Sequence, residues 1–283
     1  MIKQTTILFQ LLLMAFVFTA CSQENPNKGV DKTSNKKNLK LNNMQTVNQK
    51  MKVDIWSDIA CPFCYIGKRN FETAMKDFPN RDQIEVEWHS FQLVPDAKSG
   101  NGLNADEALA AHHHTSVEQA RVMNDQVSRM AAGVGLKYNM DKLVWANTFD
   151  AHRMIQYAKT IGKADILEER LFQAHFINGE DVGDYATLIR IAVEMQMDKE
   201  SVKGILAGNK FADEVKKDIE DFARLGGKGV PTFVLGGNKA AFSGAVSPAN
   251  IKRTLNSVFN EWKKEHPSTD IQGAICLPGG DCN

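Results

Sequence analysis

The sequence predicts an α/β fold: a small mixed sheet flanked by helices and interrupted by a long helical insertion. Three observations carry this prediction. Val53 to Trp56 alternates as a short strand and runs directly into Cys61-Pro62-Phe63-Cys64 and a helix. A second alternating strand, Ile84 to Leu93, follows that helix. Two more short strands, Pro231 to Leu235 and Ala240 to Ser243, come only after a long stretch of helical sequence.

Each element has its own signal. Tyr65 to Phe78 places Ile66, Phe71, Met75 and Phe78 at helical spacing, and Pro62 stands where a helix starts and an N–H is not needed. Ala105 to Ala132 is Ala-rich and proline-free and predicts one long helix closed by Gly133 and Gly135. Further helices are predicted over Thr148 to Thr160, Ala164 to Asn178, Asp184 to Met195, Lys199 to Ala207 and Asp213 to Leu225. Gly236 to Lys239 makes a hairpin turn. Ser247 as cap and Pro248 at the first position open a last helix that runs to about Lys264. This order is that of a thioredoxin-like fold with a helical insertion over about residues 104–207. The folded domain spans 52–265, and an aperiodic tail, 266–283, follows.

Composition bounds the function. The chain has 283 residues, 43% of them hydrophobic, and a formal net charge of zero. A nucleic-acid binder needs a basic face to neutralise phosphates, and this balance argues against one. The five cysteines, Cys21, Cys61, Cys64, Cys276 and Cys282, are too few and too uneven for a small disulfide scaffold.

The start of the chain is laid out as a signal peptide over residues 1–20. Lys3 is its charge, Ile7 to Phe18 its apolar run, and Thr19 and Ala20 the small residues at the cut. Phe18-Thr19-Ala20-Cys21 resembles a bacterial lipobox, which implies lipidation of Cys21 and a membrane anchor. Residues 22–51, rich in Asn, Lys, Gln and Ser, read as a flexible tether. An exported chain can carry disulfide chemistry.

Cys61 and Cys64 are the strongest chemical signal. A cysteine at a helix start sits at the positive end of the helix dipole, where the thiolate nucleophile is favoured. The second cysteine, one turn on, resolves the mixed disulfide. A zinc site would need about four ligands, and the spacing of Cys276 and Cys282 is loose for supplying two of them. A purely structural Cys61–Cys64 bridge would constrain little chain. Val230-Pro231 is the second signal, because an X–Pro bond at a strand start is a site for a cis peptide facing the CxxC turn. An ordinary trans bond there is the alternative. His112, His113 and His114 are consecutive and point about 100° apart on a helix, so they form no chelating face. His152, with Asp150 and Arg153, reads as a network between the insertion and the active site. His89 reads as structural, and Met123, Met130, Met140 and Met154 as core gap-fillers.

Several segments carry a family resemblance. Val53-Asp54-Ile55-Trp56-Ser57-Asp58 leads into Cys61-Pro62-Phe63-Cys64-Tyr65-Ile66-Gly67. Trp88-His89-Ser90-Phe91-Gln92-Leu93, Asn147 to Arg153, Gly229-Val230-Pro231-Thr232-Phe233 and Phe242-Ser243-Gly244-Ala245 join it. The chain from about Lys52 to Ser257 resembles the DsbA-family thioredoxin-like oxidoreductases of FrnE type. The resemblance implies disulfide oxidoreductase activity on protein thiols and disulfides, a separate redox partner, no bound cofactor or metal, and a cis-proline at Pro231 in the substrate groove with Val230. Some FrnE-type proteins have a second cysteine pair near the C-terminus, which makes Cys276 and Cys282 a candidate secondary redox pair. A local structural bridge is the alternative. A sister group, the glutathione-dependent 2-hydroxychromene-2-carboxylate isomerases and kappa-class transferases, is also similar but usually has Ser where Cys61 stands. A non-catalytic binding lipoprotein with a structural disulfide is a third reading.

Overall fold

The structure, a computed structural model, describes residues 49–100 and 102–267. Strands β1 (Met51–Ser57), β2 (Ile84–Ser90), β3 (Thr232–Leu235) and β4 (Ala240–Ser243) form one sheet in the order β2-β1-β3-β4. β2 runs parallel to β1, in register from Met51↔Ile84 to Ser57↔Ser90. β3 is antiparallel to β1, and β4 to β3. The parallel pair needs a crossover, which helix α1 (Pro62–Lys76) supplies.

Alternation along β1 assigns its two faces. Met51, Val53 and Ile55 point to one side, where α1 contributes Phe71, the turn after it Phe78, and the final helix α9 (Pro248–Glu265) Leu255, Phe259 and Trp262. Trp56 points to the other side and stacks on Phe222 of α8 (Ala212–Arg224). There the ring of His89 stacks on Trp56 at 4.4 Å, with its nitrogens 2.9 Å from Asp54 and 3.0 Å from Asp218. Asp218 also accepts hydrogen bonds from the Ser90 amide and Gln156. His89 is therefore part of the packing of this face, as its sequence context predicts.

The insertion comprises α2 (Ala105–His113), α3 (Val117–Ala132), α4 (Phe149–Thr160), α5 (Ala164–Phe172), α6 (Tyr185–Glu194) and α7 (Lys199–Ala207). α5 continues into a π-helical turn, Gln173–Asn178. The single helix expected over Ala105 to Ala132 is two. His114 takes a left-handed conformation, φ 52°, that closes α2. Ser116 and Gln119 then form a reciprocal capping box that opens α3. Ser-x-x-Gln is a start signal in its own right, and the absence of proline does not override it. Ser247 stands at the N-cap position of α9 and Pro248 at its first position, as expected, although the Ser247 side chain makes no capping bond. The second strand ends at Ser90 rather than Leu93, because the Leu93 amide turns away to a carboxylate. β1 starts at Met51, inside the segment read as tether, because that side chain is buried in the sheet core. Among the described residues, no helix is long and apolar enough to cross a membrane.

Two buried carboxyl groups define the seam between sheet and insertion. Asp58, just after β1, accepts hydrogen bonds from the amides of Ala60 (3.2 Å) and Leu93 (2.7 Å) and from the Thr148 hydroxyl (2.8 Å). His152 Nε2 of α4 lies 3.2 Å away. Burial raises the Asp58 pKa, but His152 and the other donors outweigh it and hold the carboxyl below the usual carboxylate range. The expected network thus runs through His152. Arg153 faces the other way, bonding Asp150 at 2.6 Å and the Lys210 carbonyl at 2.9 Å. Glu168 of α5 has the opposite character. Burial pushes its pKa up to about 8, against the pull of Lys68. Lys68, itself buried, bonds Asp165 and Glu72.

Replacing Asp58 with Ala leaves its buried donors unpaired and is expected to cost about 3–5 kcal/mol, measured by denaturant unfolding. Glu168 has a raised folded pKa, so its stabilising contribution is complete below the ordinary value of 4.5 and is lost as pH rises towards about 8. Glu168→Gln does not titrate. Its melting temperature relative to wild type should therefore rise from about pH 4 to about pH 9, a range that brackets this window. A pH-independent difference would contradict the assignment.

Candidate active site

Cys61 is the N-cap of α1, in extended conformation, with Pro62 at the first helical position. The turn is tied by backbone bonds from the Cys61 amide to Asp58 O and from the Cys64 amide to Cys61 O, both 3.0 Å. The carboxylate that anchors the seam thus belongs to the residue whose carbonyl holds the cysteine turn. Both thiols are free and buried. They pack in the core of the insertion, with Tyr65 and Ile66, rather than in the core of the sheet.

The two sulfurs differ in surroundings. Cys61 borders a cavity of about 440 Å³, with Pro62, Phe63 and Val230 beside it, whereas Cys64 lies behind, fully buried. Burial pushes the Cys64 thiol well above its ordinary pKa, and contact with Cys61 pushes it further. The Ser57 hydroxyl favours the anions of both Cys64 and Glu168, without a full hydrogen bond to either. Cys64 is accordingly held in its protonated, thiol form.

The Val230–Pro231 bond is cis, and the Val230 carbonyl accepts from Cys61 Sγ at 3.5 Å. Gly67 explains part of this approach. A Cβ there would stand 2.9 Å from Pro231 Cγ, so only glycine lets α1 come this close to the loop. The Pro231 carbonyl is fixed by the Gly244 amide at 2.8 Å, and Thr232 bonds Ser243 and the Gly229 carbonyl, both at 2.6 Å. Four of the predicted site residues, Cys61, Cys64, Val230 and Pro231, therefore meet at one place. Cys21, Cys276 and Cys282 lie outside the described residues, as do the signal peptide and most of the tether and tail.

Other site residues carry no sequence signal. Tyr138 comes from a loop without periodicity. Its hydroxyl donates to the Pro62 carbonyl at 2.7 Å, and its ring stacks on Phe176. His175 is buried on the π-helical turn beside the cavity, and its Nδ1 has no hydrogen-bond partner. Burial lowers its pKa to about 4, so the ring is neutral. Met123 and Met130 are not core gap-fillers. They are half-exposed and line the cavity, while Met154 is buried as expected.

Among the described residues, Asp54, Glu87 and His89 have ligand-type atoms within 4.8 Å of one another. Both His89 nitrogens are already engaged by Asp54 and Asp218, and Glu87 lies near Lys52 and Lys159. The group is complete as a charge network. It sits on the Trp56 face of the sheet rather than at the cysteines.

Comparisons agree with this geometry. The family model for the DSBA-like thioredoxin domain matches residues 52–256. YwbO of Bacillus subtilis, itself uncharacterized, is 27% identical over 210 residues, covering 71% of this chain and 98% of that protein. A crystal structure of a probable DsbA oxidoreductase from Streptomyces coelicolor is 35% identical, with a TM-score of 0.71, covering 82% of this chain and 99% of that one. A 2-hydroxychromene-2-carboxylate isomerase structure shares the fold at 14% identity and a TM-score of 0.55, covering 76% of this chain and 98% of its own. With a CxxC pair at a helix start facing a cis-proline loop, and a helical insertion across the sheet, the chain belongs to the DSBA-like thioredoxin domain family.

Proposed function

We propose that the protein is a thiol–disulfide oxidoreductase acting on protein thiols and disulfides outside the cytoplasm, through Cys61 and Cys64. The observation that carries this reading is the asymmetry of the pair: Cys61 borders the cavity at the start of α1, and Cys64 is buried behind it. In the oxidising direction, a substrate thiolate attacks Cys61 Sγ of the Cys61–Cys64 disulfide. That bond breaks, and Cys64 leaves and takes up a proton. A second substrate thiolate then attacks the substrate sulfur of the mixed disulfide, forming the substrate disulfide and releasing Cys61. The reducing direction runs through the same mixed disulfide, with Cys64 as the attacking thiolate. The raised Cys64 pKa makes it a good proton acceptor when it leaves. Pro231 and Val230 shape the groove in which the substrate lies. The glutathione-dependent reading is disfavoured by the cysteine at position 61.

The test is exchange with a protein substrate, such as reduction of insulin by a dithiol. Cys61→Ser should abolish turnover. Cys64→Ser should accumulate mixed disulfides, visible on non-reducing gels as bands that thiol removes. Full activity in Cys61→Ser would overturn the proposal, and no wild-type activity in either direction would leave only the reading of a binding protein.

The signal-peptide layout and the lipobox-like Phe18 to Cys21 support an envelope location, with Cys21 lipidated and residues 22–51 reaching from membrane to domain. Wild-type protein should fractionate with membranes, and Cys21→Ala should move it to the soluble fraction. A wild type that is already soluble would overturn the anchor.

A further inference from the structure

Among the described residues, the buried side-chain atoms without a hydrogen-bond partner are Ser57 Oγ, Glu168 Oε2, Glu169 Oε2, Arg170 Nη1 and His175 Nδ1. Leaving a buried polar group unpaired is costly, and such groups persist where something else comes to pair with them. Two of these residues stand at the two ends of the cysteine pair. Ser57 is beside Cys64, and His175 lines the cavity that Cys61 borders.

Thiol–disulfide exchange is an in-line displacement at sulfur. One bond to the central sulfur forms as the opposite one breaks, and most of the negative charge is carried by the two terminal sulfurs. Here Cys61 is the central sulfur and Cys64, behind it, is one terminus. The other terminus, the substrate sulfur, therefore stands on the cavity side of Cys61. No Lys or Arg is among the described residues that line the cavity, so charge arising there is met by dipoles rather than by an ion. Tyr138 lies near both cysteines, but its hydroxyl is spent on the Pro62 carbonyl.

The two partnerless groups are suited to this charge. His175 sits on the π-helical turn Gln173–Asn178, a kind of distortion that recurs at functional sites. Its ring is edge-on to Phe176 at 4.6 Å, and Phe176 stacks at 4.7 Å on the Tyr138 ring that reaches Pro62. The π turn is thereby braced against the cysteine turn. Burial keeps the imidazole neutral, and a neutral imidazole held in place still has one N–H to donate to a developing anion. Ser57 ends β1, and its hydroxyl favours the anion of Cys64. Glu168, neutral through burial, does not compete for that hydroxyl as an ionised acceptor.

We propose that Ser57 and His175 are the two hydrogen-bond donors of the exchange reaction: the Ser57 hydroxyl meets the charge on Cys64 Sγ, and the His175 imidazole meets the charge on the substrate sulfur. This inference rests on the thiol–disulfide exchange reading and adds two catalytic residues to it. As a substrate thiolate attacks, its bond to Cys61 Sγ forms, the Cys61–Cys64 bond breaks, and the charge passes from the His175 end to the Ser57 end. In the reverse direction it returns. Neither donor gives up its proton.

The test follows mixed disulfides that reduced, full-length protein forms with the symmetrical disulfides of mercaptoethanol and of mercaptopyridine. Cys64 resolves each by attacking Cys61 Sγ, and the small thiol leaves from the cavity side. Rapid acid quenching and mass spectrometry give the rates. His175→Phe should slow release of mercaptoethanol, whose thiolate is basic and needs a donor, by about tenfold. Release of mercaptopyridine, whose anion is delocalised, should slow much less. His175→Gln keeps a neutral N–H and should restore the wild-type ratio. His175→Ala makes the same comparison if the Phe variant does not fold. Ser57→Ala should slow both releases alike and move the pH midpoint of resolution, set by Cys64, upward; Ser57→Thr should return it. Cys61, Tyr138, Asp58 and Glu168 with its neighbour Lys68, the other ionisable groups near Cys64, are the same in all these variants. Equal slowing of the two releases in His175→Phe, or none, would overturn the role of His175 while the exchange reaction stood. An unmoved midpoint in Ser57→Ala would do the same for Ser57. A wild type that forms no mixed disulfide at Cys61 with either reagent would overturn the exchange reaction, and both donors with it.

Discussion

The buried charge of Asp58 is the constraint on which the active site depends. One carboxylate collects the amide of its own turn, the amide of Leu93 after β2, and the side chains of Thr148 and His152 from the insertion. Three segments far apart in sequence are thereby fixed at the point where β1 hands over to Cys61. A buried charge is costly unless every lone pair is used, and here they are used by groups that only the folded chain brings together. Because the Asp58 carbonyl also accepts from the Cys61 amide, the position of Cys61 follows from the position of the clamp.

Around that clamp the protein keeps charge away from the thiols. Glu168 is held neutral by burial in spite of Lys68. Cys64 is held as a thiol by burial and by Cys61. His175 is held as neutral imidazole. The polar groups near the cysteine pair are mostly in their uncharged forms, and the ionised Asp58 is fully satisfied. A buried, largely neutral surround strengthens whatever charge develops at Cys64 during exchange, because bulk water screens it less there.

The insertion is therefore part of the site rather than an addition to it. Cys61 and Cys64 pack among its side chains, Tyr138 ties the Pro62 carbonyl, and α2 and α3 build the cavity wall. The sheet supplies the complementary half. β3 delivers Pro231 at its start, and Gly67 of α1 leaves room for the proline ring to approach.

Much of this is local and was legible in the residues themselves. The β1–turn–α1 unit is fixed by alternation, by the Cys-Pro-Phe-Cys turn and by Pro62, all contiguous in sequence. α7 coincides with its periodicity, and the β3–β4 hairpin with its Gly-Gly-Asn-Lys turn. Those features depend on neighbours a few residues apart, so the pattern contains them. The break at His114 was also local, but its capping box was outweighed by an Ala-rich run. What the sequence could not hold is everything that depends on separation. Whether Met123 and Met130 fill a core or line a cavity depends on what faces α3. The charge state of Glu168 depends on how deeply α5 is buried against α1. The role of Asp58 depends on Thr148 and His152, ninety and ninety-four positions away, coming within hydrogen-bonding range. Desolvation and contact are properties of the packed chain, so the sequence by itself determined the CxxC pair and its fold, and only the tertiary structure decided what surrounds that pair.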